Sequence, residues 1–333
     1  MLLEMIDQIL LPDAPSIDGL TFRLFRDESD YAHIVELINV CSVTDGVEDH
    51  ATVGWAQNYF EHIAEFDPRQ DILFAAIADR PVGWVRTWTR HLADERDVCV
   101  VNGSVLPQWR RHGIGCALQH WGEQHLLAKP AAGPRVFRAF AADTEIGTVA
   151  LLENEGYQTV RYGFEMVRSL AEPIPDLPLP AGVEVRSVAP EQYRQVGAAM
   201  NEAFRDHWGH SESTEEDYQR WMSGPSFQPH LWQVGWSGDE VAGMVLNFID
   251  KEYNEEFKRL CGWPDPICVR RPWRKQGLAR ALIARSLRLL QEQSMTEARL
   301  GVDAQNPNGA LRLYESMGFR MVKKFLTYEK PVD

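Results

Sequence analysis

The spacing of apolar residues switches between the strand period and the helix period along the chain, and it does so twice in the same order. Apolar residues recur at i, i+4, i+8 and i+11 from Ala279, which predicts one face of a helix, whereas residues 183–186 alternate as in a strand. The second half predicts strands at 183–186, 231–236, 241–248, 267–269, 299–302 and 325–328, and helices at 191–204, 215–222, 308–317 and from 277 onward. The first half predicts strands at 22–25, 72–78, 82–89, 98–105 and 135–139, and helices at 31–40, 55–63, 114–127 and 148–155. This order predicts one mixed α/β domain that occurs twice.

Two short motifs repeat in the same order and support a duplication. Residues 105–115 read Val-Leu-Pro-Gln-Trp-Arg-Arg-His-Gly-Ile-Gly, and residues 269–279 read Val-Arg-Arg-Pro-Trp-Arg-Lys-Gln-Gly-Leu-Ala, a separation of 164 (269 − 105). Farther along, Glu-Asn-Glu-Gly-Tyr at 153–157 is followed by Glu-Ser-Met-Gly-Phe at 315–319, a separation of 162 (318 − 156). A repeat of this length is a whole domain rather than a solenoid unit.

The stretch 172–181 is rich in proline and lies almost at the midpoint of the chain. Prolines lack a backbone donor and favour an extended, semi-rigid path, which is typical of a linker. The sequence therefore predicts an N-terminal domain over 1–171 and a C-terminal domain over 182–333.

Composition restricts the possible partners. The 333 residues suffice for two domains, and 44% hydrophobic with 25% charged residues is typical of a soluble globular protein. The formal charge of −14 disfavours nucleic-acid binding, and no apolar run is long enough to span a membrane. The first residues carry acids where a secretory signal carries bases, so we expect a cytoplasmic protein. The cysteines form no close pair and no three histidines have ligand spacing, so we expect free thiols and no catalytic metal.

Each copy of the first motif lies where a strand runs into a turn and a helix then begins at a glycine. The free N–H groups of a helix's first turn, together with the helix dipole, form an anion site. Gly277 with Ala279, or Gly113 with Gly115, are small enough for the backbone to approach a ligand closely. The basic residues around the turns are Arg270, Arg271, Arg274, Lys275 and Arg280 in the second copy and Arg110, Arg111 and His112 in the first. Both turns are therefore candidate pyrophosphate sites.

Both halves resemble the GCN5-related N-acetyltransferase (GNAT) superfamily, whose acetyl-CoA motif is Arg/Gln-x-x-Gly-x-Gly/Ala. The match is fuller in the second half, where it extends over 269–282 and 306–319, and the first half is a degenerate copy. The tandem layout is similar to that of mycothiol synthase and related two-domain acetyltransferases. The resemblance implies two twisted, mostly antiparallel sheets flanked by helices, with acetyl-CoA as the cofactor. It implies cofactor binding by Cys268, Val269, Arg270, Arg274, Lys275, Gln276, Gly277, Leu278, Ala279, Arg280 and Asn306, and by Val105, Arg110, Arg111, His112, Gly113, Ile114 and Gly115.

Acetyl transfer to an amine requires that the amine lose a proton, that the oxyanion be stabilised, and that a thiol leave. A thiol of pKa about 8.5 is a fair leaving group, so a weak acid suffices. The resemblance places Tyr314 where the family has the tyrosine that protonates the thiolate. It also implies that the backbone N–H of Cys268 or of Val269 stabilises the oxyanion.

Superposing the two halves on their shared glycines shows which of them can catalyse. Leu152 falls opposite Tyr314, and Thr144 falls opposite Asn306, which in the family helps to hold the pantetheine or to orient the acceptor. Since leucine cannot donate a proton, we expect catalysis in the C-terminal domain alone. Whether the N-terminal domain binds CoA or only supports its neighbour stays open.

The proton acceptor is the least constrained role. Asp265 lies four residues before Val269, hence on the same face of an extended strand, near where the family often places a carboxylate. The alternatives are a water chain or the carboxylates of Glu252, Glu255 and Glu256. The segment 203–210 falls where the superfamily builds its acceptor pocket, and we expect substrate contacts from Asp206, His207 and Trp208.

We therefore expect an N-acetyltransferase that moves acetyl from acetyl-CoA to a primary amine of a small molecule, directly within a ternary complex. A covalent route through Cys268 is disfavoured because no histidine near it in sequence could activate the thiol. The alternatives are a non-catalytic CoA-binding regulatory protein and an acyltransferase that uses another donor.

Overall fold

The computed structural model describes residues 8–92 and 95–332. The strands are β1 (Leu20–Leu24), β2 (Ile72–Ile77), β3 (Arg80–His91), β4 (Asp97–Val105), β5 (Arg135–Ala142), β6 (Gln158–Ser169), β7 (Glu184–Val185), β8 (Gln233–Ser237), β9 (Glu240–Phe248), β10 (Cys261–Val269), β11 (Glu297–Asp303) and β12 (Arg320–Pro331). The helices are α1 (Asp30–Asp45), α2 (Val53–Glu61), α3 (Pro68–Asp71), α4 (Ile114–Ala128), α5 (Ile146–Asn154), α6 (Tyr193–Phe204), α7 (Glu215–Ser223), α8 (Lys251–Glu256), α9 (Leu278–Glu292) and α10 (Ala310–Ser316). Within this part of the chain, no helix combines the length and apolar character needed to cross a membrane.

The chain divides into two compact units. In the N-terminal unit, β1 to β5 pair in sequence order and residues 325–331 of β12 pair with β5. In the C-terminal unit, β7 to β11 pair in sequence order and residues 163–169 of β6 pair with β11. All pairs are antiparallel except β4 with β5 and β10 with β11, which are parallel. The predicted mixed α/β class with mostly antiparallel sheets is confirmed.

The units differ from the sequence-derived boundaries in where their final strands belong. The N-terminal unit takes the described residues up to Arg161 and those from Phe325 onward, and the C-terminal unit takes 162–324. The predicted linker 172–181 lies inside the C-terminal unit, where its apolar side chains Ile174, Leu177 and Leu179 pack against the core. The difference arises because the pairing of residues 163–169 with β11 and of residues 325–331 with β5, rather than proline content, decides where the units divide.

Helix α9 shows why these residues form the elements that position the site. Ile283, Leu287 and Leu290 lie on the predicted face and are fully buried in the core of the C-terminal unit. The same face contacts β8, β9 and β10. Because burial of such side chains contributes about 1.5–3 kcal/mol each, this face fixes the start of α9 against the end of β10.

In both units the sheet splits between its two parallel strands. In the C-terminal unit, Cys261 pairs with Glu297 and Gly262 pairs with Ala298. Beyond these two pairs, β10 and β11 separate. The pairing of β10 with β9 shifts by one residue between Pro264 and Ile267, a β-bulge. Bulges aim side chains in directions that a regular strand does not allow, and Asp265 lies in this one.

Candidate active site

The two glycine turns have the same backbone geometry. Lys275 and Gly277 have φ of 60° and 86°, and Arg111 and Gly113 have φ of 65° and 88°. Glycine favours the last position because the left-handed region costs it no steric strain. Neither α9 nor α4 has a side chain capping its first turn. The N–H groups at the start of each helix are therefore available to an anion.

The space beside the two turns differs. A Cβ built on Gly277 would meet no atom within 4 Å, whereas one on Gly113 would lie 3.2 Å from the Cβ of Pro15. The C-terminal turn opens into a cleft of about 840 Å³, and the N-terminal one into a cleft of about 310 Å³. The C-terminal cleft is thus the larger and less obstructed of the two.

The motif arginines line the clefts and also hold the turns together. Arg274 donates from Nε to the carbonyl of Val269 (3.0 Å) and from Nη1 to Asp206 (2.6 Å). Arg110 donates in the same way to the carbonyl of Val105 (2.9 Å) and, through both Nη atoms, to Asp45 (2.6 and 2.8 Å). Each arginine thus forms a bracket between the end of its strand and the first long helix of the unit, at the last residue of α1 (Asp45) or just after α6 (Asp206). This bracket gives the two predicted cofactor contacts a structural role.

Two further cations of the predicted cluster are paired with carboxylates. Arg270 binds Glu202 at 2.8 Å and also lies near Glu240, and Arg271 binds Asp206. The pairs with Arg271 and Arg274 hold the pKa of Asp206 well below its usual range. Asp206, predicted to contact substrate, instead has both carboxylate oxygens engaged by these arginines.

The cations that remain at the C-terminal turn are Lys275 and Arg280. Both line the cleft, and neither forms an ion pair with a described residue. They are therefore the side chains of the cluster that can face a phosphate.

Several predicted contacts are backbone positions whose side chains point elsewhere. The amide of Gln276 donates to the carbonyl of Pro272 (2.9 Å), and His112 Nδ1 lies 2.7 Å from the carbonyl of Arg110. Leu278 and Ile114 are buried in the cores. The predicted contacts that line the C-terminal cleft are Cys268, Val269, Arg274, Lys275, Gly277, Leu278, Ala279, Arg280 and Asn306, and those that line the N-terminal cleft are Val105, Arg110, Arg111, Gly113 and Gly115.

Asp265 and Tyr314 line the same cleft. Burial raises the pKa of Asp265 to about 6, and no described residue donates a hydrogen bond to its carboxyl. Burial, with the charge of Asp265 as a smaller cause, raises the pKa of the Tyr314 phenol above its usual value. A carboxyl poised near neutral pH therefore lies in one cavity with a phenol that keeps its proton.

The N-terminal unit lacks this pair. The position 164 residues before Asp265 (265 − 164) is Val101, and Leu152 stands in the place of Tyr314; both are buried. Among the alternatives to Asp265, Glu252, Glu255 and Glu256 lie on α8 and do not line the cleft. Cys268 lines it, but burial raises the pKa of its thiol to about 12, so it is protonated at neutral pH.

The alternation of the β9–β10 ladder distinguishes the two amides expected to face the acetyl group. Arg270 donates its N–H to the carbonyl of Ala242, so these two form a hydrogen-bonded pair. In an antiparallel ladder such pairs alternate with pairs whose N–H groups face outward. Since Val269 is opposite Gly243 in the register, its N–H faces away from β9, whereas that of Cys268 faces β9.

His207 also lines the C-terminal cleft. Its ring is half-buried, edge-on to Phe204 at 4.5 Å, and its Nε2 lies 3.3 Å from Nδ2 of Asn306. Burial lowers the pKa of His207 below its usual value. Trp208, predicted beside it, is not among the residues that line the cleft.

The structure adds two features that the sequence interpretation missed. One is the pair of arginine–aspartate brackets, and the other is the contact between His207 and Asn306, which are 99 residues apart. A signal for the first was present, because Asp45 and Asp206 are separated by 161 (206 − 45), close to the motif spacing.

In each unit a glycine turn and an uncapped helix start lie where the sheet splits, an arrangement that can bind an anion such as a diphosphate. A family model described as Acetyltransferase (GNAT) family matches residues 194–319. A mycothiol acetyltransferase of Thermomonospora curvata is 30% identical over 257 residues, 72% of this chain and 77% of the relative. The one of Geodermatophilus obscurus is 27% identical over 296 residues, 88% of this chain and 92% of the relative.

A solved structure agrees with these relatives. The GCN5-related N-acetyltransferase from Sphaerobacter thermophilus superposes with a TM-score of 0.69 at 25% identity, covering 95% of this chain and 96% of that one. The chain belongs to the GNAT acetyltransferase family. It is an N-acetyltransferase, and its acetyl donor is acetyl-CoA.

Proposed function

We propose that the C-terminal unit transfers acetyl from acetyl-CoA directly to a primary amine of a small molecule within a ternary complex. The observation that carries this proposal is the shared cleft of Asp265, Tyr314 and the open turn at Gly277. The N-terminal unit has Val101 and Leu152 in the corresponding places, so it lacks both proton-transfer groups.

The residues at the C-terminal turn fit acetyl-CoA. The uncapped N–H groups at the start of α9 would hold the diphosphate, and Lys275 and Arg280 would neutralise its charge. The cleft of about 840 Å³ lies within the usual range for ligand pockets, roughly 300–1,000 Å³. When bound, acetyl-CoA supplies an acetyl group activated as a thioester.

The protein's own groups then divide the proton transfers. Asp265, with a pKa of about 6, is ionised at neutral pH and accepts the proton that the acceptor nitrogen must lose, so that its lone pair can attack the thioester carbonyl. The outward-facing N–H of Val269 stabilises the negative charge that develops on the carbonyl oxygen. Tyr314 holds its proton at neutral pH and gives it to the departing thiolate.

The acceptor class rests on the relatives and on the cleft. The relatives are named for mycothiol, a small molecule, which supports a small-molecule acceptor. His207 lines the same cleft as Asp265, whereas Trp208 does not line it and Asp206 is engaged by arginines, so His207 is the predicted substrate contact that can touch an acceptor. The net charge of −14 also favours the approach of a cationic amine.

The test is thiol release from acetyl-CoA with a panel of amines. Tyr314→Phe should lower kcat by about 10²-fold, the scale of general acid catalysis, and leave binding of acetyl-CoA unchanged. Tyr218→Phe, a phenol on α7 that does not line the cleft, is the matched control and should behave as wild type. Full activity of Tyr314→Phe, or loss of activity on Leu152→Ala with no loss of fold, would place the chemistry elsewhere.

A further inference from the structure

The contact between His207 and Asn306 joins the two sides of the C-terminal cleft. His207 lies in the loop that follows α6, and its N–H bonds to the carbonyl of Phe204 at 2.9 Å. Asn306 lies in the turn between β11 and α10, where its N–H bonds to the carbonyl of Asp303 at 3.1 Å. Helix α10 follows this turn and begins at Ala310, and Tyr314 lies four residues into it.

The turn around Asn306 fixes the protonation state of His207. The N–H of Asn308 donates to Oδ1 of Asn306 at 2.8 Å, so the amide must present Nδ2 to the imidazole. Nδ2 is only a donor, and Nε2 of His207, 3.3 Å away, must therefore accept. The imidazole is consequently neutral, with its proton on Nδ1.

The duplicated unit serves as an internal control for what this contact does. The bracket formed by Asp206 and Arg274 has its counterpart in Asp45 and Arg110, so holding the turn does not depend on catalysis. The counterpart of His207 is Gly46 (207 − 161).

The partner of this histidine is also changed in the N-terminal unit. The counterpart of Asn306 is Thr144 (306 − 162), and that of Tyr314 is Leu152. The histidine–asparagine contact thus occurs in the unit that has the phenol and is missing from the unit that lacks it.

We propose that His207 is a positioning residue for Tyr314: its neutral imidazole holds Asn306, and Asn306 sets the turn from which α10 presents the phenol to the cleft. This inference rests on the proposed function, because it assigns Tyr314 the proton transfer. It predicts that His207 acts on kcat through Tyr314 rather than on the binding of acetyl-CoA.

Protonation of His207 would place an N–H of the imidazolium against Nδ2–H of Asn306 and break the contact. Burial and the charges of Arg274 and His210 disfavour the imidazolium, and the carboxylates of Asp303 and Asp206 favour it. Because burial dominates and lowers the pKa, the contact is intact at neutral pH and is lost as the pH falls through the lowered pKa. Protonation of Asp265, whose pKa burial raises to about 6, also removes activity as the pH falls.

The experiment compares two replacements of one residue. His207→Gln retains an acceptor that cannot protonate, and His207→Leu removes it. We expect His207→Leu to lower kcat by about tenfold or more with little change in the KM for acetyl-CoA, and His207→Gln to restore most of kcat. His230→Leu, an exposed histidine outside the cleft, is the control and should behave as wild type.

Two further readouts separate positioning from a general structural effect. In a double-mutant cycle, His207→Leu should cost little in the background of Tyr314→Phe, because the group that it positions is already gone. The acid limb of log kcat/KM against pH should be steeper in wild type, where His207 and Asp265 both protonate, than in His207→Gln, where Asp265 protonates without His207. Multiplicative effects in the cycle, equal slopes, or a glutamine variant as slow as the leucine variant would overturn the inference. Wild-type kcat for Tyr314→Phe alone would instead overturn the proposed function, and the inference with it.

Discussion

Replacing Asp265 by asparagine should make the protein more stable at alkaline pH while it removes activity. Burial raises the pKa of Asp265 from 3.8 to about 6, so the folded state binds the proton more tightly than the unfolded chain does. The stability contributed by the neutral carboxyl is complete below pH 4 and is lost as the pH rises through about 6. Asparagine has nearly the same shape and no charge, so it does not lose this contribution.

The magnitude follows from the two pKa values. A shift of about two units corresponds to about 3 kcal/mol at 1.36 kcal/mol per unit. The free energy of unfolding of Asp265→Asn should therefore exceed that of wild type by about 0.5 kcal/mol at pH 4 and by about 3 kcal/mol at pH 8. For a unit of this size that is a rise in Tm of roughly 6–12 °C at pH 8.

The assay is scanning calorimetry of both proteins at pH 4 and pH 8, with thiol release measured on the same samples. We expect kcat of Asp265→Asn to fall by about 10²-fold or more, since the proton acceptor is gone. Asp239→Asn, in the exposed turn between β8 and β9, is the matched control and should leave both quantities unchanged. Two results would refute the inference that the ionised carboxylate destabilises the folded protein. One is a variant less stable than wild type at pH 8, and the other is a variant whose free energy of unfolding differs from wild type by the same amount at both pH values.

Three further predictions concern the turn at Gly277 and the last strand. Lys275→Ala should raise the KM for acetyl-CoA by about tenfold because it removes a cation from the diphosphate site, and Arg111→Ala, its counterpart, should leave that KM unchanged; similar effects of both would contradict a C-terminal site. Arg274→Lys should raise the same KM by about tenfold or more, because lysine cannot span both a carbonyl and a carboxylate, and an unchanged value would show that the turn holds without its bracket. Removal of residues 325–333 should lower the Tm of the N-terminal unit because β5 loses its neighbour and Glu123 loses Lys330, and calorimetry with that unit's transition intact would contradict this.

The features of the site that depend on residues close together in the chain could be predicted from the sequence. The turns at Gly113 and Gly277 follow from a strand, a glycine and an apolar helix face within fifteen residues. The sequence also predicted that Asp265 lies on an extended strand, four residues before Val269. The structure has a bulge there in place of a regular strand, and spacing rules do not contain bulges.

What could not be predicted depends on contacts between distant residues. A basic cluster near a phosphate turn looks the same in sequence whether its side chains face the ligand or the protein. Arg274 faces Asp206, 68 residues earlier (274 − 206), and Arg270 faces Glu202. The membership of β6 and β12 is likewise set by hydrogen bonds to strands far away in the chain.

The position of residues 325–331 in the N-terminal unit has a consequence for biosynthesis. The N-terminal unit needs residues 325–331 for its edge beside β5, and these are translated after every residue of the C-terminal unit. Domains usually fold in the order in which the ribosome releases them. Here the unit begun first cannot be finished until the other has been made, so during translation β5 presents an unpaired edge that chaperones or premature association could reach.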